Sequence, residues 1–566
     1  MKIVVSIGLA VAALAWGLAQ ALGRSWLSDD SFISFRYAAH LVEGRGLVYN
    51  AGEYVEGYTN LLWTLLNAGA MALGWGPEAS SRALGIAFWL ALVAVLALRS
   101  WRRATTWPPL PLAALLVLLM EDFQTWATGG LETSMFAFLA TGSLLLVGPG
   151  GSSPRRPLLA GLGLAAAIAT RPDGAIFAAV GVAGVWAVNH DLDVRRRLLQ
   201  TSAAALPIVL VGGTLAMFKL TYYGDLFPTA FYSKSALDPY YAQGWFYVYL
   251  FFKKNWYLVL LIALVAIGGA RRAPVVLDRS HAVLLVAWTI FVAYVAHSGG
   301  DFMFARRILP AMPLLLVVLE DGLAALPDRR FSLAVAALAA VTLWAPLSLY
   351  PEPTTRLRGI ANEPAYYPPA YMTMRAGQAR VAASILEGLP VRAAFEGGMC
   401  VFGYYSQLPY LVEMTGLTQY SLAKMPLAAR GHIGHEKVAD AAWLTDNRIH
   451  FIFSQAVPPV RHAEPLPPDQ IYFANALRAT IWTYDDAIMD RLRGNPRVAF
   501  MPIEETLRQA RARIAVASYD EAQRIHDALQ RFYFRTAGPG SRSLALELRQ
   551  RVDARRPGYA LPSDVR

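Results

Sequence analysis

The fold class this sequence predicts is a mainly α, polytopic membrane protein with a soluble domain of mixed helix and strand at its C-terminal end. Three observations predict it. The 566 residues are 55% hydrophobic and only 16% charged, with a mean hydropathy of +0.36, a balance foreign to a water-soluble chain of this size. Apolar runs recur as far as residue 349, and ~20 apolar residues suffice to cross a bilayer. After residue 350 the composition shifts to Pro- and Tyr-rich and then to that of a soluble domain.

The elements follow in order. IVVSIGLAVAALAWGLAQAL at 3–22 has Lys2 before it and Ala19-Gln20-Ala21 near its end, the outline of a signal peptide. Its full-span length and the many runs after it read instead as an uncleaved first helix. A polar loop over 23–60 comes next. Further apolar runs lie near 61–75, 83–98, 110–120, 131–147, 158–188, 203–220, 256–270, 281–297, 308–319 and 331–349, which makes about eleven crossings in all. The run 158–188 is interrupted by Arg171-Pro172-Asp173-Gly174, as a broken helix or a short hairpin. Such a break is tolerated at membrane depth only where protein buries it or where it lines a cavity.

Charge orients the chain. Arg195-Arg196-Arg197, Arg271-Arg272 and Arg329-Arg330 mark cytoplasmic loops. With a cytoplasmic N-terminus, the loops at 23–60, 221–255 and 298–307 face outward, as does everything after 350. The basic groups at Arg99–Arg103 and Arg155–Arg156 do not both fit a simple alternation. The net charge of +11 is thus a topology signal, and no nucleic-acid partner is expected. The single cysteine, Cys400, excludes an intrachain disulfide and a zinc site built of cysteines.

The predicted domains are 1–350 within the membrane, a linker over 351–374, and a soluble outer-face domain over 375–566. In the last, RIHFIFSQ (448–455) reads as a buried strand. IEETLRQARARIAV (503–516) and DEAQRIHDALQRFY (520–533) read as amphipathic segments.

Ionisable residues gather in the outward loops. The first loop holds Asp29, Asp30, Arg36, Glu56 and Tyr58. TGGLET holds Glu132, and the break at 170–174 holds Arg171 and Asp173. TYYGDLFPTAFYSK ends on Lys234, and HSGGDFMFARR holds Asp301, Arg306 and Arg307. Ionisable groups in or beside membrane spans are costly and so mark function. Carboxylates act as general bases or steady a cationic transition state. Arginine grips phosphate with a planar fork, and lysine as a point charge.

Each group has a structural alternative. Asp29-Asp30 also suits a helix cap or a solvated loop start. Glu56-Gly57-Tyr58-Thr59 suits a turn before the next helix. Glu132 suits a helix N-terminus, where the dipole favours it. Arg306-Arg307 suits a snorkelling anchor. His432 and His435 in GHIGHEK have metal-compatible spacing but no third ligand nearby, so a loop or acceptor-side role is expected and no metal site.

In combination the strings DDSFISFRYAAHLVEGRGLVYNAGEYVEGYTNLLW (29–63), GGLETSMFAFL (129–139), TRPDG (170–174), YYGDLFPTAFYSK (222–234), GGDFMFARRILPAMP (299–313) and GLTQYSLAK with GHIGHEK (416–437) resemble one family. It is the GT-C membrane glycosyltransferases, and within them the mycobacterial-type enzymes that add terminal β-arabinofuranosyl residues from decaprenyl-phosphoarabinose. After residue 440 the resemblance fades.

The resemblance implies a GT-C fold in a bacterial cytoplasmic membrane, with the site and the C-terminal domain on the outer face. The donor is a polyprenyl-phosphate sugar, most simply arabinofuranose. The acceptor is a glycan, lipid or protein, held by the C-terminal domain. An Asp of the first outer loop is the essential acid in that superfamily. Here it falls on Asp29 or Asp30, with Asp29, nearest the membrane exit, the preferred one, or on the pair jointly. The donor phosphate would sit near Arg306, Arg307 or Lys234, and His435 would join the substrate-binding set. An inverting reaction needs one base, while a retaining one needs a second carboxylate or same-face attack. A lipid-phosphate leaving group requires no nucleotide, and no Gly-rich nucleotide loop is present. No cofactor is expected, although some superfamily members use a metal. The competing classes are a flippase or transporter of a polyprenyl-linked sugar, which would place its charges along a crossing, and a lipid-linked oligosaccharide polymerase or ligase.

Overall fold

The structure, a computed structural model, describes residues 2–103, 111–149, 153–272, 278–325, 347–454, 466–536 and 541–556. The chain divides into two compact units. The first comprises residues 1–49, 54–369 and 426–436; the second comprises 50–53, 370–425 and 437–566. The division therefore falls at 369/370, and the segment around GHIGHEK is shared between the two units.

The first unit is helical. Its elements are α1 (Lys2–Gly23), α2 (Ser31–Val42), α3 (Leu61–Ala72), α4 (Pro77–Arg103), α5 (Leu112–Leu119), α6 (Glu121–Thr128), α7 (Thr133–Leu145), α8 (Arg155–Thr170), α9 (Gly174–Val188), α10 (Val194–Tyr222), α11 (Thr229–Ser233), α12 (Tyr241–Lys254), α13 (Trp256–Arg272), α14 (Arg279–His297) and α15 (Met312–Ala324). A short hairpin of β1 (Arg356–Leu357) and β2 (Ile360–Ala361) follows. Several helix starts are written in the sequence. Asp193 caps α10 by accepting from the Arg196 amide at 3.1 Å, and Asp278 caps α14 by accepting from His281 at 2.9 Å.

Among the described residues three helices, α4, α10 and α14, are long and apolar enough to cross a membrane. The α12–α13 pair makes a fourth if its 86° bend is one broken span. Along α10 the apolar side chains point away from the protein: Val209 is 67% and Met217 69% exposed. An apolar helix left this bare is suited to lipid, since water would drive it into a core. The expected run 331–349 and the Arg329-Arg330 loop lie almost wholly outside the described residues.

Two expectations change. Residues 31–42 of the first outer loop form α2, whose side chains from Ser31 to His40 are all buried. The run at 61–75 becomes the 12-residue α3, ~18 Å long at 1.5 Å per residue and too short to cross ~30 Å of hydrocarbon. This explains the misfit basic groups. Arg99, Arg102, Arg103 and Arg156 line one cavity together with Asp278 and His281, so both arginine groups lie at the same end of the helical unit. Asp321, which pairs with Arg99, Arg103 and His281, marks that end too.

The second unit carries a six-stranded sheet in the order β4-β3-β5-β7-β6-β8. The strands are β3 (Arg392–Phe395), β4 (Tyr410–Glu413), β5 (Phe451–Phe453), β6 (Gln470–Phe473), β7 (Leu477–Ile481) and β8 (Val498–Phe500). β4, β3 and β5 run parallel, and the others pair antiparallel. Phe451 and Phe453 are fully buried, as RIHFIFSQ predicts. The two amphipathic segments are helices Ile503–Val516 and Tyr519–Leu529. Their apolar stripes, Ala510 and Ile514 with Ala522 and Leu529, share one core with Leu548 and Val552.

Candidate active site

Charged side chains meet at the end of the helical unit opposite Asp321. The turn between α1 and α2 supplies the acid pair. The Ser28 amide donates to the Gly129 carbonyl at 2.9 Å, which ties this turn to the TGGLET loop. Asp30 occupies the N-cap position of α2 but makes no capping hydrogen bond, so the helix-cap explanation does not describe it. Asp29 is 1% exposed, whereas Asp30 is only partly covered. The charges acting on Asp30 are those of Arg306, Lys234, Asp301 and Glu132. Burial pushes its carboxyl above the ordinary range of 3.8, against the opposing pull of Arg306 and Lys234.

Gly130 makes the close approach possible. Its φ is +78°, and a Cβ there would lie 2.7 Å from Leu27 Cδ2 and 3.1 Å from Ser31. Two residues on, Glu132 occupies the N-cap position of α7, makes no capping hydrogen bond and is completely buried. Its Oε1 accepts from Arg171 at 2.8 Å and Arg306 at 3.2 Å, and its Oε2 accepts from Asn60 at 2.8 Å. Burial opposes its ionisation, but Arg306 and Arg171 outweigh it and hold the carboxyl down at about 2. Arg171 also grips Asp173 through two hydrogen bonds of 2.9 Å each. The break at 170–174 is thus a turn between α8 and α9 locked by its own ion pair.

The α14–α15 loop carries the rest. Asp301 accepts from Lys234 Nζ at 3.5 Å and lies 3.9 Å from Arg306. Burial again opposes ionisation, and Lys234, Arg306 and Arg307 overcome it. Arg307 hydrogen-bonds only neutral oxygens, Ser298 Oγ at 2.9 Å and the Gly300 carbonyl at 3.0 Å. Among the described residues no carboxylate lies within ion-pair distance of it. The Nε groups of both Arg306 and Arg307 are buried with no partner among the described residues. Gly300, at φ +77°, could not carry a Cβ without meeting the Tyr247 ring at 2.5 Å. His435 stacks on His432 at 4.3 Å and packs edge-on to Phe302 at 5.1 Å. Burial lowers its basicity, and Lys234 adds to the effect.

The sequence-predicted residues therefore fall in two groups. Asp30, Glu132, Arg171, Asp173, Lys234, Asp301, Arg306 and Arg307 form one cluster, with Asp29 behind Asp30 and His435 beside Phe302. Arg36, Glu56 and Tyr58 bond elsewhere. Arg36 donates to the Tyr49 carbonyl at 2.7 Å and stacks on its ring. Glu56 pairs with Lys219 at 2.8 Å, burial raising it to about 6 against the pull of Lys219. Tyr58 meets the Tyr223 hydroxyl at 2.9 Å. Arg36 thus ties α2 to the loop after it, and Glu56 and Tyr58 fasten that loop to the end of α10.

One carboxyl at the site has no counterpart in the sequence reading. The Ala361 amide donates to the Phe302 carbonyl at 2.7 Å, and the Phe304 amide donates back to Ala361 at 3.1 Å. This splice of β2 onto the α14–α15 loop sets Glu363, 5% exposed, where the charges of Asp30, Asp301 and Asp29 act on it. Burial first, then those acids, drive its carboxyl well above the usual range.

The chain is homologous to glycosyltransferases. Over 377 residues it is 30% identical to the terminal β-(1→2)-arabinofuranosyltransferase of Mycobacterium tuberculosis, covering 56% of this chain and 57% of that protein. Over 343 residues it is 27% identical to the enzyme of the same name from Corynebacterium glutamicum, covering 52% of this chain and 47% of that protein. The chain thus spans about half the length of these relatives. No family model matches it. Two crystal structures of ArnT from Cupriavidus metallidurans align along most of the chain. The form bound to undecaprenyl phosphate covers 86% of this chain and 85% of its own at TM-score 0.42. The apo form covers 89% and 91% at 0.39, and identity is 16% in both.

Proposed function

We propose that the chain is an integral-membrane glycosyltransferase of the bacterial cytoplasmic membrane. It moves a sugar, arabinofuranose by the names of its relatives, from a polyprenyl-phosphate carrier to an acceptor hydroxyl on the outer face. The observation that carries the reading is the buried cluster. A partly open, proton-avid carboxyl, Asp30, sits among cations whose charges Glu132 and Asp301 only partly offset.

In this scheme the donor phosphate lies against Arg306 and Arg307, whose unpartnered Nε groups would donate to its oxygens. Lys234 adds a point charge. The acceptor oxygen attacks the anomeric carbon as the bond from that carbon to the phosphate oxygen breaks, and the electron pair leaves with polyprenyl phosphate. Asp30 takes the acceptor proton, its raised proton affinity suiting it to the role of general base. Asp29 is the second carboxylate of the pair. Glu132, Asp173 and Asp301 stay ionised and hold the cations in place. The soluble unit serves the acceptor glycan, and no metal enters the scheme.

The test is direct. Purified full-length protein is incubated with radiolabelled decaprenyl-phosphoarabinose and a panel of glycan acceptors. The expected result is label in a glycan and one equivalent of polyprenyl phosphate released. Absence of transfer from this donor and from its hexose analogues would contradict the reading.

A further inference from the structure

Behind the charged cluster, within the helical unit, lies a second cavity of about 220 Å³. Its walls include Trp126, Phe304, Tyr350, Asn362 and Glu363. The Trp126 indole donates to the Phe304 carbonyl at 3.0 Å, and Arg306 lies over the Trp126 ring at 6.0 Å. Trp126 thus stands between the cavity and Arg306, while Glu363 on the lining is within reach of the charges of the cluster's acids.

The chemistry of the lining narrows what fits. Three carboxyls, Glu121, Asp122 and Glu363, face it with one lysine, Lys254. Asp122 is spent on Lys254 at 2.6 Å and Asn255 at 3.0 Å, and Glu121 lies 3.2 Å from the same lysine. A phosphate would meet more negative than positive charge here. A divalent cation would find one uncommitted carboxyl, too few for its coordination. Two buried polar atoms on the lining, Glu363 Oε2 and the Tyr350 hydroxyl, have no hydrogen-bond partner among the described residues. Buried polar atoms left so are costly and call for a partner. The combination of flat aromatic faces, an amide and two waiting oxygens suits a neutral polyhydroxylated ring. At ~30 Å³ per water, the volume holds a single sugar ring and not a chain.

Glu363 connects this cavity to the chemistry. It lines the cavity, and the charges of Asp30 and Asp301 act on it. We propose that the cavity is the subsite for the acceptor's reacting sugar ring, with Tyr350, Asn362 and Glu363 holding its hydroxyls and presenting one of them to Asp30. The inference rests on the glycosyl-transfer reading above and adds where the acceptor ring binds.

The test uses the full chain in detergent and measures two affinities separately: methyl arabinofuranoside by ligand-observed NMR, and polyprenyl phosphate by tryptophan quenching. Ser348 stands exposed at the cavity wall, so Ser348→Trp narrows the cavity without touching the core. Tyr350→Phe removes one waiting hydroxyl. The expected result is that Ser348→Trp abolishes glycoside binding. Tyr350→Phe weakens it about tenfold, the scale of one lost hydrogen bond. Polyprenyl-phosphate affinity holds in both. Unchanged glycoside affinity in the two variants, or no saturable glycoside binding in the wild type, overturns the proposal. Because these are binding measurements, failure of sugar transfer in the wild type would count against the enzymatic reading alone.

Discussion

Glu132 holds the site together. It is completely buried, and its two oxygens take three donors from three separate segments. Glu132→Gln keeps the shape but leaves Arg171 and Arg306 short of a counter-charge. Breaking a buried pair from one side costs ~3–5 kcal/mol, so a markedly lower melting temperature and loss of activity are expected. A melting curve like the wild type's would show that Glu132 is not the anchor. Glu363 makes a pH-dependent contribution of the opposite kind. Its carboxyl is raised above the ordinary 4.5, so the folded state binds its proton more tightly than the unfolded chain. That stability is fully present below pH 4.5 and is lost as pH rises through the raised value. Relative to Glu363→Gln, the wild type is therefore expected to lose melting temperature as pH rises above the ordinary glutamate range. Parallel pH profiles for the two proteins would contradict this. Most of the cluster was legible because a charge beside an apolar run is expensive and therefore informative. Glu363 was not, because ANEPAYYPPAYM carries no periodicity and its carboxyl is buried only through the splice of β2 onto residues 302–304.

At the scale of elements, turns place the chemistry. The α14–α15 loop brings Asp301, Arg306 and Arg307 together by passing Gly300 against Tyr247 at positive φ. Gly300→Ala would force a Cβ into that ring on a backbone disfavoured for alanine. A cost of ~1–3 kcal/mol and a fall in transfer rate with displaced Arg307 are expected from melting and steady-state kinetics. Wild-type behaviour in both would show that the loop tolerates another path. Helices with long apolar runs, such as α4, α10 and α14, were plain in the sequence because one physical constraint, bilayer thickness, sets their length. Nothing in SFISFRYAAHLV announces α2, because the segment is short, lacks a capping side-chain bond and is buried on nearly all sides, leaving no amphipathic stripe. The 61–75 run was read as a crossing because hydropathy does not register that the chain turns after Ala72, where α3 ends. In the soluble unit RIHFIFSQ was recognisable, but the order β4-β3-β5-β7-β6-β8 depends on long-range pairing that no local pattern encodes.

For the whole molecule, the proposed chemistry falls at one end of the helical unit, and an ion network around Asp321 occupies the other. The Asp321 end is an ion network whose partners Arg99, Arg103 and His281 line a cavity. The opposite end carries Asp30, partly covered, near Arg306 and Arg307, whose Nε groups have no partner among the described residues. Along α10 the apolar flank is bare, which suits contact with lipid and, in the proposed function, with a polyprenyl carrier. In the proposed function Asp30 takes the proton of the acceptor hydroxyl. The measurement that tests it most directly is the rate of sugar transfer from decaprenyl-phosphoarabinose by Asp30→Asn, with binding of the donor lipid measured alongside. The account predicts a loss of about 10²-fold or more with donor binding retained. Transfer at the wild-type rate in Asp30→Asn would contradict it.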